Sequence, residues 1–224
     1  MEKIYTIPVN EAFDACRDDK SKGCPFCELR KKVENDEIEL ILGASMMEPD
    51  IRIQTNEQGF CNHHFSMMLK RKNRLGLALM LESHLAHVDK CADGLFSEKK
   101  LDKIEKSCYI CSKIDYHLSR MLETAAYLFE TDRDFREKVK QQPYFCLEHY
   151  NAFAKAGKEE LKRGEAADLA KVIKKVNEEY LSKLQEDVSW FCKKFDYRYD
   201  AEPWGDAKDA PERAIAFLSG KHEE

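Results

Sequence analysis

The sequence predicts an all-α protein: two pseudo-symmetric helical halves, each stapled by one Cys3His zinc site, followed by a C-terminal helix. Three observations carry this expectation. A cysteine and histidine pattern is written twice, with Cys24-Pro25-Phe26-Cys27 returning as Cys108-Tyr109-Ile110-Cys111, and Cys61-Asn62-His63-His64 as Cys146-Leu147-Glu148-His149. The offset between copies is 84 for the first pair and 85 for the second, which points to internal duplication with one inserted residue. Charged residues reach 35% with only nine Gly and six Pro among 224 residues, a balance that suits long helices better than a barrel or a sandwich. Apolar residues also step by three and four over long runs, most clearly at Leu169, Val172, Ile173, Val176, Tyr180, Leu184, Val188 and Phe191.

Taken in order, Ile4 to Pro8 reads as a short extended arm, and Asn10 as the cap of a brief helix from Glu11 to Cys16. A charged turn from Asp18 to Gly23 delivers the first cysteine pair. Leu29, Val33, Ile38, Ile41 and Leu42 then form one face of a helix that Gly43 ends. Met47 to Phe60 reads as an excursion with a short extended piece at Ile51-Arg52-Ile53. Cys61 and His64 open a second helix that breaks near Lys72-Asn73. The helix resuming at Leu75 is apolar nearly all round, so burial on most sides is expected of it.

Ala92-Asp93-Gly94 supplies the turn residues for a boundary, and Ser97 a cap for the helix carrying Leu101 and Ile104. The scheme then repeats. Ile114, Leu118, Met121, Leu122, Ala125 and Leu128 face inward from a helix after Cys111, and Phe135 and Val139 from a charged piece spanning Asp132 to Gln142. The helix opened by Cys146 is expected to break near Gly157 or Gly164, and the long helix to follow from Glu165. Phe195 to Gly205 is aromatic and irregular. Arg52, Asp196 and Arg198 are expected in ion pairs that tie the C-terminal segment down. Pro211 starts a final helix with Ile215, Phe217 and Leu218 inward, and Gly220 ends it. The expected divisions are 1–94, 95–195 and 196–224.

Zinc takes four nitrogen or sulfur ligands in a tetrahedron, and two cysteines separated by two residues at a turn can bite one ion. Each Cys-x-x-His supplies two further corners. The sequence therefore predicts two zinc ions per chain, one held by Cys24, Cys27, Cys61 and His64, the other by Cys108, Cys111, Cys146 and His149. Four protein ligands leave no open position, so the ions are expected to be structural and no catalytic residue or other cofactor is expected. Cys16, Cys91 and Cys192 lie outside the pattern and read as small buried residues. His63 has Glu148 opposite it in the second copy and reads as a surface or supporting residue. His84 and His87 read as ordinary partly buried histidines, and the cluster Lys70-Arg71-Lys72 with Arg74 as a solvated basic face.

A net charge of -5 argues against non-specific nucleic-acid binding, which rests on a broad cationic surface. No segment has the roughly 18 consecutive apolar residues of a membrane span, and Met1 to Lys20 has no cationic start followed by an apolar run. A cytoplasmic location is expected, where short-spaced cysteines are more often metal ligands or redox centres than disulfides.

The Cys-Pro-x-Cys start, the Gly-Phe-Cys-x-x-His return, the second copy and Lys193 to Arg198 together resemble an uncharacterised bacterial family of unknown function across nearly the whole chain. The resemblance supports the ligand assignment and implies no activity. Cys24-Pro25-Phe26-Cys27 also resembles the glutaredoxin active-site tetrapeptide, but a charged turn precedes it and no βαβ pattern follows. The functional expectation is a zinc-binding scaffold for an unknown protein or small-molecule partner. A thiol-based redox or metal sensor, and an enzyme with a pocket between the halves, are the alternatives.

Overall fold

The computed structural model describes residues 3–93 and 96–220. Among them are eleven α-helices, joined by short turns and 3-10 segments, and no strand. They form two compact units: one holds the described residues up to Lys31 and from Leu118 onward, the other spans Lys32–His117. The units are interleaved in sequence rather than consecutive, and the chain passes between them within two helices. The expected boundary at residues 94 and 95 lies outside the described residues.

In the first unit, α1 (Thr6–Asp18) replaces the expected extended arm. Pro8 is tolerated because the first turn of a helix has no intrahelical acceptors for its N–H groups. The Asn10 side chain is inside the helix, donating to the Thr6 carbonyl at 3.0 Å. Gly23, at φ 82°, turns the chain into α2 (Pro25–Leu42), and a Cβ there would meet the Tyr144 hydroxyl at 2.6 Å. From α7 (Tyr109–Thr131), the residues from Leu118 onward belong to this unit. α8 (Arg133–Lys140) is capped by the Asp132 carboxylate, which accepts from the amides of Asp134 and Phe135. α9 (Leu147–Glu160) runs through Gly157 and is capped by Leu161, and α10 (Arg163–Lys193) starts one residue before Gly164, so the expected break falls between the two glycines and close to Gly164. Gly157 is needed for close packing, since a Cβ there would stand 2.6 Å from Leu169 Cδ2 of α10. The core is aromatic: Phe13, Phe26, Phe135, Phe145 and Phe153 are fully buried in mutual ring contact.

After α10, Asp196 and Arg198 form an ion pair with each other, and the C-terminal segment is held by Lys194. Its buried ammonium donates to the carbonyls of Tyr199, Asp200 and Glu202 at 2.6, 3.0 and 2.8 Å. α11 (Ala210–Ser219) buries Phe217 and leaves Ile215 and Leu218 exposed.

In the second unit, Ile51-Arg52-Ile53 is helical within α3 (Pro49–Gln58), which Pro49 starts and Gly59 ends at φ 59°. Arg52 makes no ion pair there and donates to the Leu79 carbonyl. α4 (Asn62–Lys70) and α5 (Arg74–Ala92) are separated at Asn73, whose side chain caps Gly76. The α5 helix packs on α3 and α6 (Ser97–Lys106). It buries Gly76, Leu77 and Met80 but leaves Leu75 and Leu85 69% and 64% exposed, against the expected burial on most sides.

Candidate metal centres

All four motif pairs sit at helix starts. The carbonyls of Cys24, Cys61, Cys108 and Cys146 accept the first helical bonds, from Glu28, Phe65, Ser112 and Tyr150. Each pair therefore places one ligand at the cap and the next three residues on, one turn up the same face, where free N–H groups and the positive end of the helix favour thiolates.

The structure brings all eight residues together, but in a different pairing from the one sequence order suggests. One cluster is Cys24, Cys27, Cys146 and His149, all buried in the first unit. The other is Cys61, His64, Cys108 and Cys111 in the second unit. The outer pairs meet each other and the inner pairs meet each other, so each cluster takes one pair from each copy of the motif.

Packing accounts for this nesting. Phe26, inside the first cysteine pair, contacts Phe145, Phe153 and the His149 ring. Asn177 of α10 holds Phe145 by both backbone groups, accepting from its N–H at 2.9 Å and donating to its carbonyl at 2.8 Å. In the other unit, the Tyr109 amide donates to the Gly59 carbonyl at 3.0 Å and the Ser107 hydroxyl to the Gln58 carbonyl at 2.7 Å, which joins the approaches to Cys61 and Cys108. The cost of closing longer loops does not oppose it, because each doubling of loop length adds only about 0.6 kcal/mol.

The donor geometry fits a tetrahedral zinc ion. Zinc bonds of about 2.3 Å to sulfur and 2.0 to 2.1 Å to nitrogen put sulfurs about 3.8 Å apart and sulfur and nitrogen about 3.6 Å apart. In the first cluster, Cys27 and Cys146 Sγ are 3.7 Å apart, and His149 Nδ1 lies 3.6, 3.4 and 3.1 Å from Cys24, Cys27 and Cys146. In the second, Cys61 and Cys111 Sγ are 4.0 Å apart, and His64 Nδ1 lies 3.1, 3.2 and 3.5 Å from Cys61, Cys108 and Cys111. Both histidines thus present Nδ1 inward. Three thiolates and an imidazole are a soft donor set suited to zinc and unsuited to magnesium or calcium.

The two histidines differ behind the ring. His64 Nε2 lies 3.0 Å from Glu34 Oε1, and His63 Nε2 lies 3.3 Å from the same oxygen, whereas His149 Nε2 is buried with no partner. Glu34 was not legible as a site residue. It stands two turns beyond Cys27 on α2, and its role emerges only once the inner pairs are known to meet.

Within each cluster the side chains strongly perturb one another's protons. Burial opposes the His64 imidazolium, but hydrogen bonds with Cys108 and Glu34 push its pKa up to about 10. Burial likewise opposes the Cys108 thiolate, while the hydrogen bond to His64 brings it down to about 6. Burial and the neighbouring Cys108 push Cys111 up. In the first cluster, burial pushes Cys24 well up, and hydrogen bonds from Cys24 and Cys27 hold Cys146 far below the usual thiol range. His149, disfavoured by burial but bonded to Cys146 and Cys27, rises to about 9. Without a metal, each cluster thus keeps its histidine protonated beside one thiolate, Cys108 in one and Cys146 in the other.

The remaining cysteines differ from one another. Cys16 is buried as expected, Cys91 is half-buried 3.4 Å from His87 Nε2, and Cys192 is exposed, against the expectation of burial. His84 Nδ1 meets the Asn56 carbonyl at 3.1 Å, and no metal-ligating group among the described residues contains His84 or His87. Lys70, Arg71, Lys72 and Arg74 are all exposed at the turn between α4 and α5. No helix of the described residues is long and apolar enough to cross a membrane.

No curated protein and no solved structure matches the chain. The profile of a family of unknown function, DUF6062, matches residues 1–224, and the chain therefore belongs to that family.

Proposed function

We propose that this protein is a helical scaffold that binds two zinc ions, each in a structural Cys3His site, and presents its helices to a protein or small-molecule partner in the cytoplasm. The observation that carries the reading is the agreement of both ligand sets with tetrahedral zinc distances. Four protein donors complete each coordination sphere, which favours a structural role over a catalytic one. Each ion clamps two helix starts that lie far apart in the chain. Structural zinc contributes roughly 10 to 16 kcal/mol in small peptides, ample to hold such ends together.

Mass spectrometry of protein purified without added metal or chelator tests this reading, with two zinc ions per chain expected. Cys24→Ser and Cys146→Ser should each remove the same ion, and Cys61→Ser and Cys108→Ser the other. A metal-free protein with Cys24 and Cys27 joined as a disulfide would overturn the reading.

A further inference from the structure

We infer that the two sites exchange metal at different rates, with the Cys61, His64, Cys108 and Cys111 site exchangeable and the Cys24, Cys27, Cys146 and His149 site permanent, and that His63 assists the exchange. The inference rests on the zinc reading above. In the permanent site all four ligands are buried, whereas Cys61 and Cys111 are only half-buried. Metal leaves such a site by stepwise replacement of its thiolates, so a competing ligand must reach a sulfur, and only the second cluster offers one.

That cluster also has a second donor set against it. The ligand atoms of Glu34, His63 and His64 all lie within 4.8 Å of one another. His64 links the two, with Nδ1 facing the three sulfurs and its Nε2–H donating to Glu34, which leaves the carboxylate and His63 as the outer donors. Glu34 is 15% exposed and His63 51% exposed, so the carboxylate and the outer imidazole lead from the buried histidine to solvent. Nothing comparable backs His149, whose Nε2 is enclosed and unpartnered. When a chelator takes the place of Cys61 or Cys111, the freed thiolate would take up the proton that the chelator loses, and His63, the exposed imidazole beside Glu34, would offer a transient nitrogen donor on the solvent side. The ion keeps its charge and nothing is oxidised. The class of acceptor implied is a soft or nitrogen-bearing chelating ligand.

Zinc release from the fully loaded protein to 4-(2-pyridylazo)resorcinol, followed by the colour of its zinc complex, tests the proposal. The total released reports whether two ions were bound, so failure of the zinc reading appears as a stoichiometry below two, separately from the rates. Two phases of one equivalent each are expected, at least tenfold apart. Cys61→Ser should abolish the fast phase, and Cys24→Ser the slow one. His63→Ala, at a position 51% exposed, should keep two ions and slow the fast phase at least threefold. A single phase, a fast phase that persists in Cys61→Ser, or an unchanged fast phase in His63→Ala would overturn the inference.

Discussion

At the scale of single residues, the carboxylate of Glu34 has the most to do with the chemistry of one site, because it fixes which nitrogen of His64 carries the proton. With Nδ1 facing the sulfurs, Nε2 must donate, and a glutamate 3.0 Å away accepts that bond. Glu34→Ala should weaken zinc binding at that site by roughly 10 to 100-fold and leave the other site unchanged, measured by competition against a chelator of known affinity. The protons give a second expectation. His64 without metal keeps its proton up to about 10, and must release it for Nδ1 to bind an ion. Zinc affinity at this site should therefore rise with pH between 6 and about 10, and calorimetry in buffers of different ionisation enthalpy should show protons released on binding. All eight clustered residues were legible in the sequence because a turn able to bite a metal has a fixed spacing. Their supporting residues were not, since Glu34 and Asn177 meet the site through space and carry no local pattern.

At the scale of elements, helix starts were well marked and helix interiors less so. Phe135 and Val139 faced inward as their spacing required, and Asp132 capped the helix before them. The glycines marked the break between α9 and α10 only loosely, because a glycine can serve close approach as well as termination. At Gly157 the neighbouring helix comes within reach of a Cβ, and Gly157→Ala should cost about 1 to 3 kcal/mol through overpacking against Leu169, read from chemical denaturation. Ile51-Arg52-Ile53 misled: three residues alternating apolar and charged fit a strand, yet Pro49 at the start and Gly59 at the end delimit a helix. Lys194 also escaped the sequence reading, since its three acceptors are backbone carbonyls and no acidic partner announces it. Lys194→Met should leave those carbonyls without their donor and raise amide exchange over residues 195–205 while sparing α9.

At the scale of the whole molecule, the fold class and the presence of two Cys3His clusters followed from the sequence, while the pairing did not. Repetition suggested two self-contained halves, but the aromatic core around Phe26 and the backbone pairing of Gly59 with Tyr109 draw the ligands together across copies. The pairing has a signature in double variants. Cys24→Ser combined with His149→Ala should lose one zinc, no more than either change alone, whereas Cys24→Ser combined with Cys61→Ser should lose two. Nested closure also orders events on the ribosome. The inner cluster is complete once Cys111 has emerged, but Cys27 is separated from Cys146 by 119 positions. At about 5 to 20 residues per second, that interval is several seconds in which the leading cysteine pair waits as open thiols for its partners to be translated. Cys24 and Cys27 are thus made long before they can be enclosed, and a newborn chain exposes that pair to thiol-reactive chemistry throughout the interval.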